Sequence, residues 1–239
     1  MSNPATRLHR ILLSAKQSKE DGAQMLVAWG NILRVDGTNV MRTMGKIGKV
    51  FALASFVETC VERVPDIKKE LFLSWRGDLA KAFNTFGFGN QFGAFKGQLS
   101  DSLLSILEFV SHELDKHMPE KELTVEEINE LKDAAWNLHQ EVARSSLTAS
   151  LREYLLDNLY RIIEALEDYD IIGCRGVEVA FDAVLGSAMS KSETVKEVGA
   201  SPFGDKLWAL MAKIALALNL AKGAAELTDR VTKALGPPQ

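Results

Sequence analysis

Residues 124–140, TVEEINELKDAAWNLHQ, carry Ile128, Leu131, Ala135 and Leu138, and then Val142 follows, at successive steps of 3, 4, 3 and 4. That spacing lines one side of an α-helix with apolar groups, whereas a strand would alternate at every second residue. Thr124 and Glu127 open the segment as an S/T-x-x-E capping box, in which each side chain satisfies the other residue's free backbone N–H. This stretch fixes the fold class, and its neighbours read the same way.

Downstream, Leu151, Leu155, Leu159, Ile162 and Leu166 form a second stripe, opened by Ser150 and Glu153 as another capping box and ended by Gly173. Stripes near a 3.5-residue period predict helices lying side by side and antiparallel, as in a bundle. Upstream, Leu103, Leu107, Val110 and Leu114 form a third stripe, opened by Ser100 or Asp101 and closed before Pro119. Met25, Trp29, Ile32 and Leu33 make a shorter one before the turn signal VDGTN at 35–39. A long helix is expected from Val40 to Val64, stopped by Pro65, and another over 66–86, where Ile67, Leu71, Trp75, Leu79 and Phe83 recur.

After Gly173, CRGVEVAFDAVLGSAM reads as a short helix and SKSETVKEVGASPFGD as a polar connector with local helix. The last helix is expected from about Asp205 to Leu235. Its seam is Leu207, Met211, Ile214, Leu218, Ala221 and Ala225, while Trp208, Leu210, Leu216 and Leu220 occupy its other faces. A helix apolar nearly all round is buried centrally or covered by a partner. No period-2 run competes anywhere. The expectation is an all-α helical bundle of about eight or nine helices, with a glycine/phenylalanine-rich break near residues 87–99. It is read as a single domain over 1–239, with any subdivision falling between 1–95 and 100–239.

That break, FNTFGFGNQFGAFKG at 83–97, holds five phenylalanines and four glycines. Phe83 continues the preceding stripe, while Phe88, Phe92 and Phe95 advance by four and three as one face of a helical turn would. Core packing of a kinked connector is the first reading. A partner-facing aromatic patch of Phe86, Phe88, Phe92 and Phe95 is the second, and a membrane-dipping element the third.

Composition narrows the function classes. With 46% hydrophobic residues, 239 residues can bury a core without staples. Two cysteines, Cys60 and Cys174, are too few for a disulfide framework or a CxxC zinc site, which suits a reducing cytoplasm. The N-terminal apolar run, Ile11 to Leu13, is too short for a secretory h-region, and no segment approaches the roughly 18 apolar residues of a spanning helix. The net charge of −4 is unevenly spread: residues 1–50 carry eight Lys or Arg against three acids, and residues 101–170 seventeen acids against six bases. Such poles attract each other within a fold or recruit partners.

Catalytic and cofactor motifs fail on spacing or context. His112 and His117 are five apart, about 140° around a helix, so they do not face one metal. His9 and His139 are isolated. Gly87, Gly89 and Gly93 are one residue too long for a dinucleotide fingerprint and follow a helix, not a strand. Glu126 and Glu130 read as a solvated face; Arg175 and the flanking glycines would expose and activate the Cys174 thiol, but an unreactive small residue in a helix-ending turn is the first reading. No catalytic residue, metal or cofactor is assigned.

Arg7 and Arg10 share a face, and Arg42, Lys46 and Lys49 form a basic face on a helix that is apolar on Met41, Met44, Ile47 and Phe51. Phosphate contacts would suit such a stripe, but the acidic total and the lack of a recognition motif argue against nucleic acid. The expected function is a soluble helical interaction or scaffold protein, self-associating and acting through protein–protein surfaces. The alternative is a membrane-active or membrane-recruited protein that exposes the amphipathic helices at 40–58 and 205–222. An enzyme whose site is assembled from residues distant in sequence stands third.

Overall fold

The computed structural model describes residues 3–36, 39–87, 89–190 and 192–220. Among them the regular elements are all α-helices and no strand forms, so the all-α expectation holds. The chain divides into two compact units: Met1–Glu120 with Asp170–Gly173, and Lys121–Tyr169 with Cys174–Gln239.

In the first unit the helices are α1 (Pro4–Gln17), α2 (Met25–Ile32), α3 (Val40–Arg63), α4 (Lys69–Phe72), α5 (Trp75–Asn84), α6 (Phe92–Lys96) and α7 (Asp101–His117). α1 is the hub: it packs against α2, α3 and α7 and buries Leu8, Leu12 and Ala15 completely. Pro4 occupies its first turn, where no N–H is needed, and the Asn3 side chain caps it by accepting from Thr6 N–H at 3.0 Å. Asn3 in turn donates to the Ser111 carbonyl (2.8 Å) and to Asp115 (2.7 Å), which fastens the start of α1 to α7.

Two expectations for this unit are corrected. The run expected over 66–86 is two helices, broken at Leu73 and Ser74. Leu73 and Trp75 are both buried, and two residues apart on one continuous helix would point about 200° apart, so the break lets both reach the core. Leu71, expected on the stripe, is exposed. The turn VDGTN is described only in part, since residues 37 and 38 lie outside the described residues.

The second unit contains α8 (Val125–Ala143), α9 (Ala149–Glu167), α10 (Tyr169–Ser190, less the residues 170–173 that belong to the first unit), α11 (Ser192–Gly199) and α12 (Gly204–Ala217). α8 and α9 lie along each other, burying Leu131, Ala135, Leu138 and Val142 against the Leu151, Leu155, Leu159, Ile162 and Leu166 stripe. The Thr124/Glu127 capping box forms in both directions, at 3.1 and 2.7 Å.

At α9 the cap is Thr148, accepting from Leu151 N–H, and not Ser150, because the helix starts two residues earlier and brings Leu151 into its buried first turn. α9 ends at Glu167; Gly173, with φ 64° and ψ −167°, breaks the chain later, inside α10. α12 stops at Ala217, short of the expected Leu235. Asn219 turns left-handed (φ 56°) and Leu220 N–H closes back on the Ala215 carbonyl at 2.8 Å, the hydrogen bond of a Schellman ending. The expected continuation through Ala221 and Ala225 lies outside the described residues.

Candidate functional site

The two candidate regions read from the sequence, the basic face of α3 and the aromatic segment, meet in the first unit at Phe51. Its ring lies 4.1 Å from that of Phe83 and 5.9 Å from that of Phe86. From there a chain of rings runs inward: Phe83 to Phe95 (6.0 Å), Phe95 to Phe92 (5.8 Å), and both of these to Trp29 (5.3 and 6.2 Å, edge-on). Phe92 and Phe95 are fully buried, Phe83 and Phe86 half-buried. Phe88 lies outside the described residues. Two members of the proposed patch are therefore core, and Phe86 is the one described member that reaches the surface.

Backbone pairing holds this segment in place. Met25 N–H donates to the Asn90 carbonyl, Phe92 N–H to Ala23 and Gly93 N–H to Asp21, at 2.9, 2.9 and 3.0 Å. A Cβ on Gly93 would stand 3.0 Å from that same Asp21 oxygen, so glycine is what permits the approach.

α3 is rotated relative to the expected orientation. Its buried side runs through Thr43, Lys46, Ile47, Val50, Leu53, Val57 and Val61. Seven turns of helix are oriented by the longest apolar stripe, and that stripe begins at Ile47 and ends at Val61; Thr43 and Lys46 fall on it by spacing alone. Lys46 is buried, not part of an exposed basic face, and its ammonium points to the Leu33 carbonyl at 3.5 Å, at the C-terminal end of α2. A cation there meets the negative end of the helix dipole. Arg42 and Lys49 are half-buried along one edge.

The rotation turns a different surface outward. Met41, Gly45, Gly48, Ala52, Ser55 and Thr59, at steps of 4, 3, 4, 3 and 4, are all exposed, and Met41 retains 81% of its accessible surface. Every exposed residue of α3 between Val40 and Thr59 is uncharged, over a length of about 28 Å. A Cβ added to Gly45 or Gly48 would meet nothing within 4 Å, so packing inside the chain does not require either glycine.

The charge poles are in part consumed internally. Within the first unit Arg7 pairs with Glu120 (2.5 Å), Lys16 with Asp101 (2.6 Å) and Arg34 with Asp170 (3.6 Å), each joining the basic N-terminal block to the acidic middle of the chain. Arg7, expected to share a face with Arg10, is 2% exposed, while Arg10 is exposed.

The remaining reactive groups do not converge. Cys174 is buried against the Tyr169 hydroxyl (3.4 Å), which accepts from Leu123 N–H at 2.8 Å, all within the second unit. Burial, and then the neighbouring thiol, push the Tyr169 phenol above its usual range. His117 lies 3.2 Å from Glu113 on the surface of α7, and His139 packs edge-on against Trp136. Among the described residues no group of three or more His, Cys, Asp or Glu could hold a metal ion, and no helix is long and apolar enough to cross a membrane. Set against protein-family models, curated proteins and solved structures, the chain has no match.

Proposed function

We propose that this chain is an interaction protein that docks another polypeptide, including a second copy of itself, on the outer face of α3. The observation that carries the reading is the uncharged exposed face from Met41 to Thr59, in a chain of which 25% of residues are charged. Small residues at Gly45, Gly48 and Ala52 let a facing backbone come close, and Met41 and Phe51 supply apolar contact at its margins. The burial of Lys46 removes the centre of the basic face on which the membrane alternative leaned. Of the aromatic patch, Phe86 borders the same face beside Phe51.

A photoreactive phenylalanine analogue at Met41 in the full chain, expressed in the native host, tests the reading. Covalent adducts to protein that disappear on Gly48→Arg at equal expression are expected. Adducts to lipid alone, or none, would reject it. Sedimentation of the purified chain across concentration then separates self-association from a foreign partner.

A further inference from the structure

We infer that Asp170–Gly173 is a latch: a segment that opens from the first unit independently of that unit's core, with Arg7 as its catch. The reading does not depend on the α3 face. Arg7, 2% exposed on α1, donates from Nε to the Ile171 carbonyl at 3.1 Å and from Nη1 to Glu120 at 2.5 Å. Glu120 is the last residue before the chain leaves the first unit, and Asp170–Gly173 is the stretch over which it returns. One guanidinium thus holds both places.

The docked segment sets one buried side chain, Ile171, into the core with Ile172 partly buried against it, and its outer end carries the exposed Asp170–Arg34 pair at 3.6 Å. A segment with so few buried contacts opens at lower cost than the surrounding helices, which bury Leu8, Leu12, Val57 and Leu107. Gly173 marks the second state. Its left-handed φ of 64° interrupts a run that is otherwise helical through Ser190, and a Cβ there would stand 2.9 Å from Nη2 of Arg7 and closer still to Nη1. Any residue but glycine is strained in the docked geometry and displaces the Arg7 guanidinium, whereas a helical conformation at this position carries no such strain. The latch therefore has two backbone conformations available to it, docked with Gly173 left-handed and undocked with the helix running through.

Hydrogen exchange read by mass spectrometry on the full chain tests this, comparing wild type, Gly173→Ala and Arg7→Lys. Lysine keeps a charge for Glu120 but lacks the fork that reaches the Ile171 carbonyl as well. In both variants the amides of residues 171–174 are expected to exchange at least roughly tenfold faster than in wild type, while those of Leu8–Leu12 and Leu103–Leu107 keep their rates. If the two sets accelerate together, the segment opens only with the whole core and the latch is refuted. Unchanged exchange at 171–174 in both variants refutes it equally. Should Gly173→Ala fail to fold, the Arg7→Lys comparison decides.

Discussion

Arg7 Nε lies 3.1 Å from the carbonyl oxygen of Ile171, a buried hydrogen bond between residues 164 apart in sequence. The same side chain neutralises Glu120, so α1 carries a charge that the first unit has wrapped on two sides. Removing the cation leaves a carboxylate that is 18% exposed and a carbonyl with less to bond to. Arg7→Ala is expected to lower stability by about 3 kcal/mol, the scale for breaking a buried pair, whereas Arg10→Ala on the exposed side of the same helix stays within about 0.5 kcal/mol. Urea midpoints of the two variants check this, and equal losses would show that Arg7 is no more than a surface residue.

The aromatic segment predicts a graded series. Phe95 is fully buried against Trp29, Phe83 and Phe92, so Phe95→Ala should cost about 3–5 kcal/mol. Half-buried Phe86, which borders the α3 face beside Phe51, should cost about 1 kcal/mol on the same change. Thermal unfolding of the two variants gives the order. A larger loss at Phe86 would contradict the packing described.

How legible this was depended on whether one helix or several decided a residue's surroundings. The α8 stripe and its capping box were readable because both are local: Thr124, Glu127 and the 3–4 spacing determine each other within two turns. Lys46 was not readable. Its burial follows from the direction in which the whole of α3 rolls, and from the end of α2 happening to offer the Leu33 carbonyl. Arg7 is the same case over a longer range, since Glu120 and Ile171 are more than a hundred residues away. The break at Leu73 and the stop at Asn219 were missed for a third reason. Periodic spacing reports which residues want burial and says little about where the backbone turns to achieve it. One signal is present in the sequence: Gly45 and Gly48 inside a long helix cost stability with no local return.

Those two glycines make a prediction of opposite sign to the usual one. Both are exposed in α3 with open space where a Cβ would go, so Gly45→Ala and Gly48→Ala should each stabilise the chain by about 0.5–1 kcal/mol. If a facing backbone uses the same space, the more stable variants should dock less well. Melting temperature and photo-crosslinking yield at Met41 are therefore expected to move in opposite directions. A rise in both would detach the glycines from docking.

Lys46 separates a buried cation from a surface one. Lys46→Met keeps the length of the side chain and removes a charge from a buried site, and is expected to change stability by no more than about 1 kcal/mol in either direction. Lys46→Glu places a carboxylate against the C-terminal carbonyls of α2 and should cost about 2 kcal/mol or more. Were Lys46→Glu neutral by denaturant titration, the residue would belong to the exposed basic face after all.

Tyr169 gives the second unit an alkaline limit. Its hydroxyl is buried between Leu123 N–H and the Cys174 thiol, and burial raises its pKa above the phenol's value of about 10 in the unfolded chain. A group whose folded pKa is raised contributes stability that is complete below its unfolded value and is lost as pH climbs from there toward the folded one, because the unfolded phenol releases its proton first. Tyr154 on α9, also raised by burial, acts in the same direction. The urea midpoint should therefore fall between pH 8 and pH 11 in wild type, and fall less in Tyr169→Phe, although that variant starts lower at pH 8 because Leu123 N–H loses its acceptor. Tyr154→Phe is expected to remove a further part of the drop. Parallel falls in wild type and both variants would place the alkaline loss in other groups and leave the buried phenol without a share in it.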